Sequence, residues 1–264
     1  MKKFLAVICS LAVLASGIAM FSGCGNDNSQ DLEYVKEKGT LVVGCTEFLP
    51  ISYQENGEWK GFDVEFARAV GEKLGVEVQF QVIKWGDKIF ELNSKKIDCI
   101  WNGMTITEEL LNETEVSVPY MRNKQVLVVR SEDAQKYTSQ ESIKGEKIVA
   151  ERGSAGAAFG EELSDEFAAL DTQVMIFTEL QSKKANVGIL DSVLAGYYLQ
   201  TDAYKDAYKT NDVGFAEEQY GISFRKGSNL CGAVNEALKE LYAEGTLTEI
   251  AQSYGLESEL LAIE

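Results

Sequence analysis

The amino-acid sequence predicts an α/β protein of two lobes, each built on a mostly parallel β-sheet. Three features carry this prediction: strand-like and helix-like segments alternate, the alternation occurs twice, and no Ser/Gly-rich linker separates the two rounds. The chain is 45% apolar, which suffices to bury a sizeable core in one large domain or two small ones. We therefore expect the two rounds to be joined by a short, hinge-like connection.

The first round supplies three strands and two helices. Residues 41–44 form an apolar strand, and Asp63 is placed to cap a helix whose apolar residues recur four apart. Apolar and polar residues alternate over 76–82, a pattern that is typical of a half-buried strand. A helix over 85–92 and a strand over 97–101 follow, which is the order of βαβ units.

The second round begins near Gln125 and repeats this layout, with a polar loop over 131–142 after its first strand. Asp191 stands where the last predicted strand of this round meets a helix. The strands are predicted at 126–129, 147–150, 174–177, 187–190 and 220–224, and the C-terminal helices near 230–243 and 246–254.

The most informative turn is the segment 97–107, with the sequence IDCIWNGMTIT. Its apolar run ends in Gly103, and Thr107 before two acidic residues indicates a helix start. Unpaired N–H groups at such a start attract anions, although an ordinary βα connection explains the segment equally well. Ligands of open α/β sheets bind beyond the carboxyl ends of the strands, so two facing lobes would form a cleft lined by such segments.

The N-terminus reads as a secretory leader. A basic start is followed by an apolar run over 4–20 and small residues before Cys24, which is too short for a membrane span. The sequence FSGC resembles the lipobox of bacterial lipoproteins, so residues 1–23 are expected to be a signal peptide and 24–34 a tether. Lipidation of Cys24 would hold an extracytoplasmic protein at the bacterial cell membrane.

Composition excludes several functions. A net charge of −17 argues against a nucleic-acid-binding protein, whose footprint would be a basic patch. The absence of histidine excludes serine–histidine catalysis and histidine zinc sites. Cys45, Cys99 and Cys231 match no metal motif, so no metal or cofactor is expected. Free buried thiols are the expected state, with a Cys45–Cys99 disulfide as the alternative.

Nine short fragments occur in the order found in one family, and the chain resembles the solute-binding proteins of polar amino acid ABC transporters. The resemblance covers roughly residues 38–255. Its fragments are LVVG at 41–44, GFDVE at 61–65, Trp85, GMTIT at 103–107, PY at 119–120, GS at 153–154, DS at 191–192, YGI at 220–222 with RKG at 225–227, and GTL at 245–247.

The resemblance implies a two-lobe, type II periplasmic-binding-protein-like fold with two hinge crossovers. Lobe 1 would take 35–122 plus 221–264, and lobe 2 would take 123–220. The implied protein is a monomeric, non-enzymatic receptor that closes on an amino acid and delivers it to a membrane permease. Two alternatives stay open: an enzyme of the cyclohexadienyl dehydratase type on the same fold, with Glu47 as the candidate acid, and a stand-alone amino-acid sensor.

The resemblance also assigns ligand contacts. Asp191 aligns with the aspartate that holds the α-ammonium, with helix capping as its alternative role. Gly103 and Thr105, with Met104 between them, align with positions that offer a carbonyl, an N–H and a hydroxyl. Ser154 would bind the carboxylate from lobe 2, unless it is a plain turn serine.

Aromatic and polar side chains would line the rest of the cleft. Phe48 and Trp85 align with aromatics that flank the aliphatic part of the ligand, although each also suits a core. Trp101 fits the core or the cleft wall, and the neighbouring Asn102 would reach the ligand side chain. Glu47 aligns with a residue that contacts the side chain of the ligand, and Thr46 is the alternative for that role.

One departure from the family concerns the ligand carboxylate. In much of the family, Thr-Ile-Thr is followed by Pro-Glu-Arg, whose arginine binds the α-carboxylate, whereas Leu110 occupies that position here. A charged hydrogen bond contributes about 1.5–3 kcal/mol, so its loss requires a replacement. Arg122 at the first crossover is the preferred candidate and Arg152 the second, with a surface position for both as the alternative.

Overall fold

The computed structural model describes residues 28–263, in which twelve strands and nine α-helices alternate. In chain order they are α1 (Asp31–Lys38), β1 (Thr40–Cys45), β2 (Tyr53–Glu55), β3 (Glu58–Lys60), α2 (Phe62–Leu74), β4 (Glu77–Val82), α3 (Lys88–Asn93), β5 (Cys99–Thr105), α4 (Glu108–Glu113), β6 (Thr114–Val116), β7 (Met121–Arg130), β8 (Ile148–Glu151), α5 (Ala155–Leu163), β9 (Ala168–Leu170), α6 (Met175–Gln181), β10 (Val187–Asp191), α7 (Ser192–Tyr198), β11 (Tyr208–Asn211), β12 (Glu217–Arg225), α8 (Leu230–Ala243) and α9 (Thr246–Ser253).

The main sheet has two parallel parts joined by two long antiparallel strands. Its strand order is β4-β1-β5-β12-β7-β10-β8-β9, with β6 beside β12 and β11 beside β7. Strands β7 and β12 pair along Met121–Lys124 and Glu217–Tyr220, and we call these two the hinge strands. We call the part around β4, β1, β5 and β6 lobe 1, and the part around β10, β8, β9 and β11 lobe 2.

Lobe 1 follows the predicted order, with two corrections. Helix α2 begins at Phe62, so Asp63 lies inside its first turn and does not cap it. The predicted tether 24–34 is too long, because Asp31 starts helix α1 and its buried carboxylate lies 2.9 Å from the Arg225 guanidinium. The predicted leader and Cys24 lie outside the described residues.

In lobe 2, one predicted strand is a helix in the structure. Residues 174–177 were predicted as a strand, but Met175 begins helix α6, which buries Ile176, Phe177 and Leu180. A short apolar run fits a buried strand and a buried helix equally well, because neither period is visible in four residues.

The core runs along both faces of the sheet and leaves the three described cysteines free. Cys45, Cys99 and Cys231 are all buried and unpaired, which is the expected state rather than the alternative disulfide. Trp101 packs edge-on against Phe66 in the core of lobe 1, with ring centroids 5.1 Å apart. Within residues 28–263, no helix is both long and apolar enough to cross a membrane.

Candidate functional site

A cavity of about 300 Å³ lies between the two lobes, at the carboxyl ends of β5, β8 and β10. This is the edge at which an α/β sheet binds ligands. Lobe 1 lines it with Phe48, Trp85, Lys88, Asn102, Gly103, Thr105, Thr107, Glu108, Glu109 and Leu110, and lobe 2 with Glu151, Gly153, Ser154, Ala155, Ala158, Gln173 and Asp191.

The lobe 1 wall is shaped by Gly103, which has a positive φ of 56° within β5. Strand β5 continues to Thr105, where a turn was predicted at Gly103. A β-carbon on Gly103 would lie 2.7 Å from the Phe48 ring. The buried Asp63 carboxylate accepts the Gly103 N–H at 2.6 Å and the Tyr120 hydroxyl at 2.9 Å. Thr107 caps α4 as predicted, accepting the Leu110 N–H at 3.3 Å.

Asp191 is the most fully hydrogen-bonded acid of the cavity. Its Oδ1 accepts from Asn123 at 2.5 Å, from Gln125 at 3.1 Å and from the Tyr220 hydroxyl at 3.0 Å. Its Oδ2 accepts from Gln173 at 2.5 Å. The side chain makes no capping bond to α7, so the alternative capping role is not observed.

All four partners of Asp191 are neutral, and burial raises its pKa. Because a carboxylate oxygen has two lone pairs, Oδ2 keeps acceptor capacity. A positive group of a ligand would supply the missing charge.

A second acid, Glu218, shares two of these donors at the hinge strands. Its Oε2 accepts from Asn123 at 3.1 Å, from Gln125 at 2.9 Å and from the Thr105 hydroxyl at 3.1 Å. Burial, with the nearby charge of Asp191, raises the pKa of Glu218 to about 7. The side-chain amides of Asn123 and Gln125 on β7 thus connect Asp191 in the cavity wall with Glu218 at the hinge strands.

Lys88 is the sole cation among the described residues that line the cavity. It is 6% exposed, and its Nζ donates to the Gly153 carbonyl oxygen at 2.8 Å and lies 5.1 Å from the Trp85 ring centroid. Burial lowers its pKa, while the charges of Glu109 and Glu151 oppose that shift. Since Lys88 belongs to lobe 1 and Gly153 to lobe 2, this hydrogen bond crosses the closed cleft.

The lobe 2 wall ends at the start of helix α5. Ser154 accepts the Ala157 N–H at 3.1 Å and so caps the helix, a local role different from the plain turn serine that was its alternative. The first amides of a helix have no carbonyl partner within it, and Ala155, the first residue of α5, lines the cavity. The Ala155 N–H and the Lys88 ammonium across the cleft are our candidates for groups that bind an anion.

Seven of the ten predicted contact residues line the cavity: Phe48, Trp85, Asn102, Gly103, Thr105, Ser154 and Asp191. Glu47 is exposed outside it, and the alternative Thr46 is buried with its hydroxyl oxygen 2.8 Å from the Asn102 amide. Met104 is fully buried in the core of lobe 1 and does not line the cavity.

The two predicted arginines also lie elsewhere. Arg122 donates from an exposed position to the Ser258 carbonyl oxygen at 2.9 Å, and Arg152 is exposed. The structure therefore gives no support to Arg122 as the replacement cation at the cavity, and Lys88 takes its place as our candidate.

Sequence reasoning missed Lys88, Glu151 and Gln173. Lys88 follows a predicted helix start, where a lysine normally faces solvent. Glu151 is the last residue of β8 and Gln173 lies in a loop, so neither has a local motif. The one available signal was that Glu151 stands two residues before Gly153 of the Gly-Ser pair, at the carboxyl end of a strand.

We expect the ligand-free protein to lose stability as pH rises from about 5 to 8. Burial raises the pKa of Glu151 to about 8 and of Asp63 to about 7. The folded state then holds protons that the unfolded state has released, so the free energy of unfolding falls with rising pH. Thermal unfolding should show a lower Tm at pH 8 than at pH 5, and Glu151→Gln should reduce the difference.

The matched control for this experiment is the exposed Glu161. Glu161→Gln exchanges an exposed side chain and should keep the wild-type pH profile. A Glu151→Gln profile identical to that of the control would contradict a buried, protonated Glu151.

The chain matches one known family over most of its length, the bacterial extracellular solute-binding proteins, family 3, at residues 41–257. It is similar to the L-cystine-binding protein TcyJ of Escherichia coli (strain K12), with 30% identity over 84% of this chain and 85% of that protein. It is also similar to the arginine-binding extracellular protein ArtP of Bacillus subtilis (strain 168), with 28% identity over 96% of this chain and 98% of that protein.

Solved structures agree with these sequence relatives. A substrate-binding protein of an ABC uptake transporter from Streptococcus pneumoniae, with bound histidine, has a TM-score of 0.81 at 29% identity and covers 89% of this chain and 99% of that one. The ancestral amino-acid-binding protein AncCDT-1, a precursor of cyclohexadienyl dehydratase, has a TM-score of 0.78 at 30% identity and covers 84% and 98%. The predicted type II periplasmic-binding-protein fold is thus confirmed. Because the family match spans more than half of its length, the chain belongs to the bacterial extracellular solute-binding proteins, family 3.

Proposed function

We propose that this protein is the extracytoplasmic substrate-binding component of an ABC importer, which holds an α-amino acid in the cavity between its lobes and delivers it to a membrane permease. The observation that carries this proposal is that one closed cavity is lined by both a buried acid, Asp191, and a buried cation, Lys88. A zwitterion needs a carboxylate for its ammonium and a cation for its carboxylate, and these two residues supply both. Relatives named for binding cystine and arginine support the same class of ligand.

The α-ammonium is assigned to Asp191 Oδ2, which has one protein donor where two fit. The α-carboxylate is assigned to Lys88 Nζ and to the Ala155 N–H at the start of α5. In this arrangement Lys88 takes the role of the carboxylate-binding arginine that much of the family has at the position of Leu110. Phe48 and Trp85 then enclose the remainder of the ligand.

Ligand binding would select the closed form. Lys88 already bonds across the cleft to Gly153, and a β-carbon on Gly153 would lie 3.0 Å from the Gly86 Cα of lobe 1. A ligand that contacts both lobes stabilises the closed form over the open one by its differential affinity, and a permease recognises that form.

The proposal includes the anchoring of the receptor and the division into lobes. Cleavage of a leader 1–23 would leave Cys24 as a lipidated residue that holds a monomer at the cell membrane, with a tether that ends before α1. The lobes are assigned as 35–122 plus 221–264 and 123–220, with β7 and β12 as the crossovers.

The experiment is a thermal-shift panel of the common amino acids, cystine and small peptides. A ligand at about 100 times its Kd stabilises the folded state by about 2.7 kcal/mol, which raises the Tm by several degrees. We expect at least one amino acid to do so, with its Kd confirmed by calorimetry. A panel in which no amino acid shifts the Tm would contradict the proposal.

A further inference from the structure

Glu151 is a buried acid of the cavity that the assignment of an α-amino acid leaves without a partner. It is the last residue of β8, is 4% exposed and lines the cavity in lobe 2. It plays no capping role for α5, because Ser154 fills that position. A carboxyl group in such a place is costly when ionised unless a positive group compensates it.

The neighbours of Glu151 provide only part of that compensation. The charge of Lys88 and a hydrogen bond from Gln173 favour its ionised form, but burial and the charge of Asp191 outweigh them. Asp191 on the adjacent strand β10 carries a charge of the same sign, which disfavours ionisation of Glu151. Gln173 is neutral. Lys88 faces Glu151 from lobe 1, but its ammonium donates to the Gly153 carbonyl, and no ion pair within 4.0 Å joins Lys88 to an acid in the described part of the chain.

With Glu151 ionised, the buried charges of the cavity are unbalanced by one. Two acids, Glu151 and Asp191, stand against one cation, Lys88. A zwitterion, bound as in the proposed function, adds one charge of each sign and leaves the excess of one negative charge. A ligand with one further positive group removes it.

We propose that Glu151 is a specificity-determining residue that binds a second cationic nitrogen, so that the cavity selects α-amino acids carrying such a group. This inference rests on the proposed function, because it takes the ligand to be an α-amino acid. The selected chemistry includes a cationic side chain and a second ammonium at the far end of a symmetric amino acid. Neutral side chains of equal length fill the same volume but leave Glu151 uncompensated.

The test compares ligand pairs that differ in this charge: arginine with citrulline, and lysine with norleucine. Calorimetry is run on the full protein at pH 8, because burial raises the pKa of Glu151 to about 8 and ionises it poorly below that value. In the wild-type protein we expect the cation to bind at least about tenfold more tightly in one pair or both. In Glu151→Gln that ratio should fall below about threefold, while the neutral ligand keeps its affinity within about threefold.

Each outcome decides between the two proposals. If the wild-type protein binds no amino acid, the proposed function fails. If it binds neutral ligands as well as cationic ones, only the role of Glu151 fails, and the wild-type comparison alone shows this even when the variant does not fold. Equal weakening of cationic and neutral ligands in Glu151→Gln would also overturn the inference, since it would place Glu151 beside Asp191 on the α-ammonium. Glu161→Gln, an exposed exchange of the same kind, should keep the wild-type ratio.

Discussion

An Asp191→Asn variant is expected to bind its amino acid at least about thirtyfold more weakly than the wild-type protein, while its ligand-free form keeps a Tm close to that of the wild-type protein. Removing one member of a buried, hydrogen-bonded charge pair costs about 2 kcal/mol or more in binding. Without ligand, however, the Asp191 carboxylate is buried among four neutral donors. An amide of the same shape removes the cost of burying that charge, and this gain offsets the loss of one acceptor, since its NH2 group would face the Gln173 donor.

Calorimetry of the ligand and thermal unfolding of the ligand-free protein measure the two halves of this prediction separately. The control is Asp206→Asn, an exposed aspartate of lobe 2, which should change neither quantity. An Asp191→Asn protein with wild-type affinity would remove Asp191 from the ammonium site. A large fall in the ligand-free Tm would assign it a structural role instead.

A Lys88→Met variant is expected to lose at least about thirtyfold in affinity and, with it, the recognition of the α-carboxylate. The methionine keeps the apolar stem that packs beside Trp85 but removes the buried ammonium. The wild-type protein should bind an amino acid at least about tenfold more tightly than the analogue in which a carboxamide replaces the α-carboxylate, because only the carboxylate pairs with Lys88. Lys88→Met should bind the two about equally.

Two controls keep this prediction specific. Lys84→Met changes an exposed lysine one turn earlier and should leave affinity unchanged. Arg122→Ala should do the same, because the Arg122 guanidinium contacts Ser258 outside the cavity. Loss of binding in Arg122→Ala, with Lys88→Met unaffected, would return the carboxylate to the crossover arginine.

The sequence predicted those parts of the site that follow from strand ends. Asp191 ends β10 and Gly103 lies two residues before the end of β5, so both are near the carboxyl edge, and this edge is fixed once a parallel sheet is recognised. Leu110 at the usual arginine position was also visible, and it predicted that a cation had to come from elsewhere.

The errors arise from side-chain direction, which alternates along a strand. On hinge strand β7, Asn123 and Gln125 face Asp191, so Arg122 between Met121 and Asn123 is turned to the opposite face. Met104 is turned away from the cavity on β5 in the same manner. Arg122 thus lies on a hinge strand, as predicted for a crossover residue, but its side chain points away from the cavity.

The missed residues depend on contacts between segments far apart in sequence. Lys88 becomes a cavity residue only because Gly153 of lobe 2 closes on it, 65 residues later in the chain. Glu151 and Gln173 are brought to Asp191 by the pairing of β8 with β10 and by a loop. No local pattern encodes these distances, and a single sequence offers no covariation to reveal them.

The most direct test of the central claim is a crystal structure of the protein with the best amino acid from the panel. We predict the ligand between the lobes, with its α-ammonium about 3 Å from Asp191 Oδ2 and a carboxylate oxygen about 3 Å from Lys88 Nζ. An amino acid bound with its carboxylate away from Lys88 and α5, or with its ammonium away from Asp191, would contradict the account.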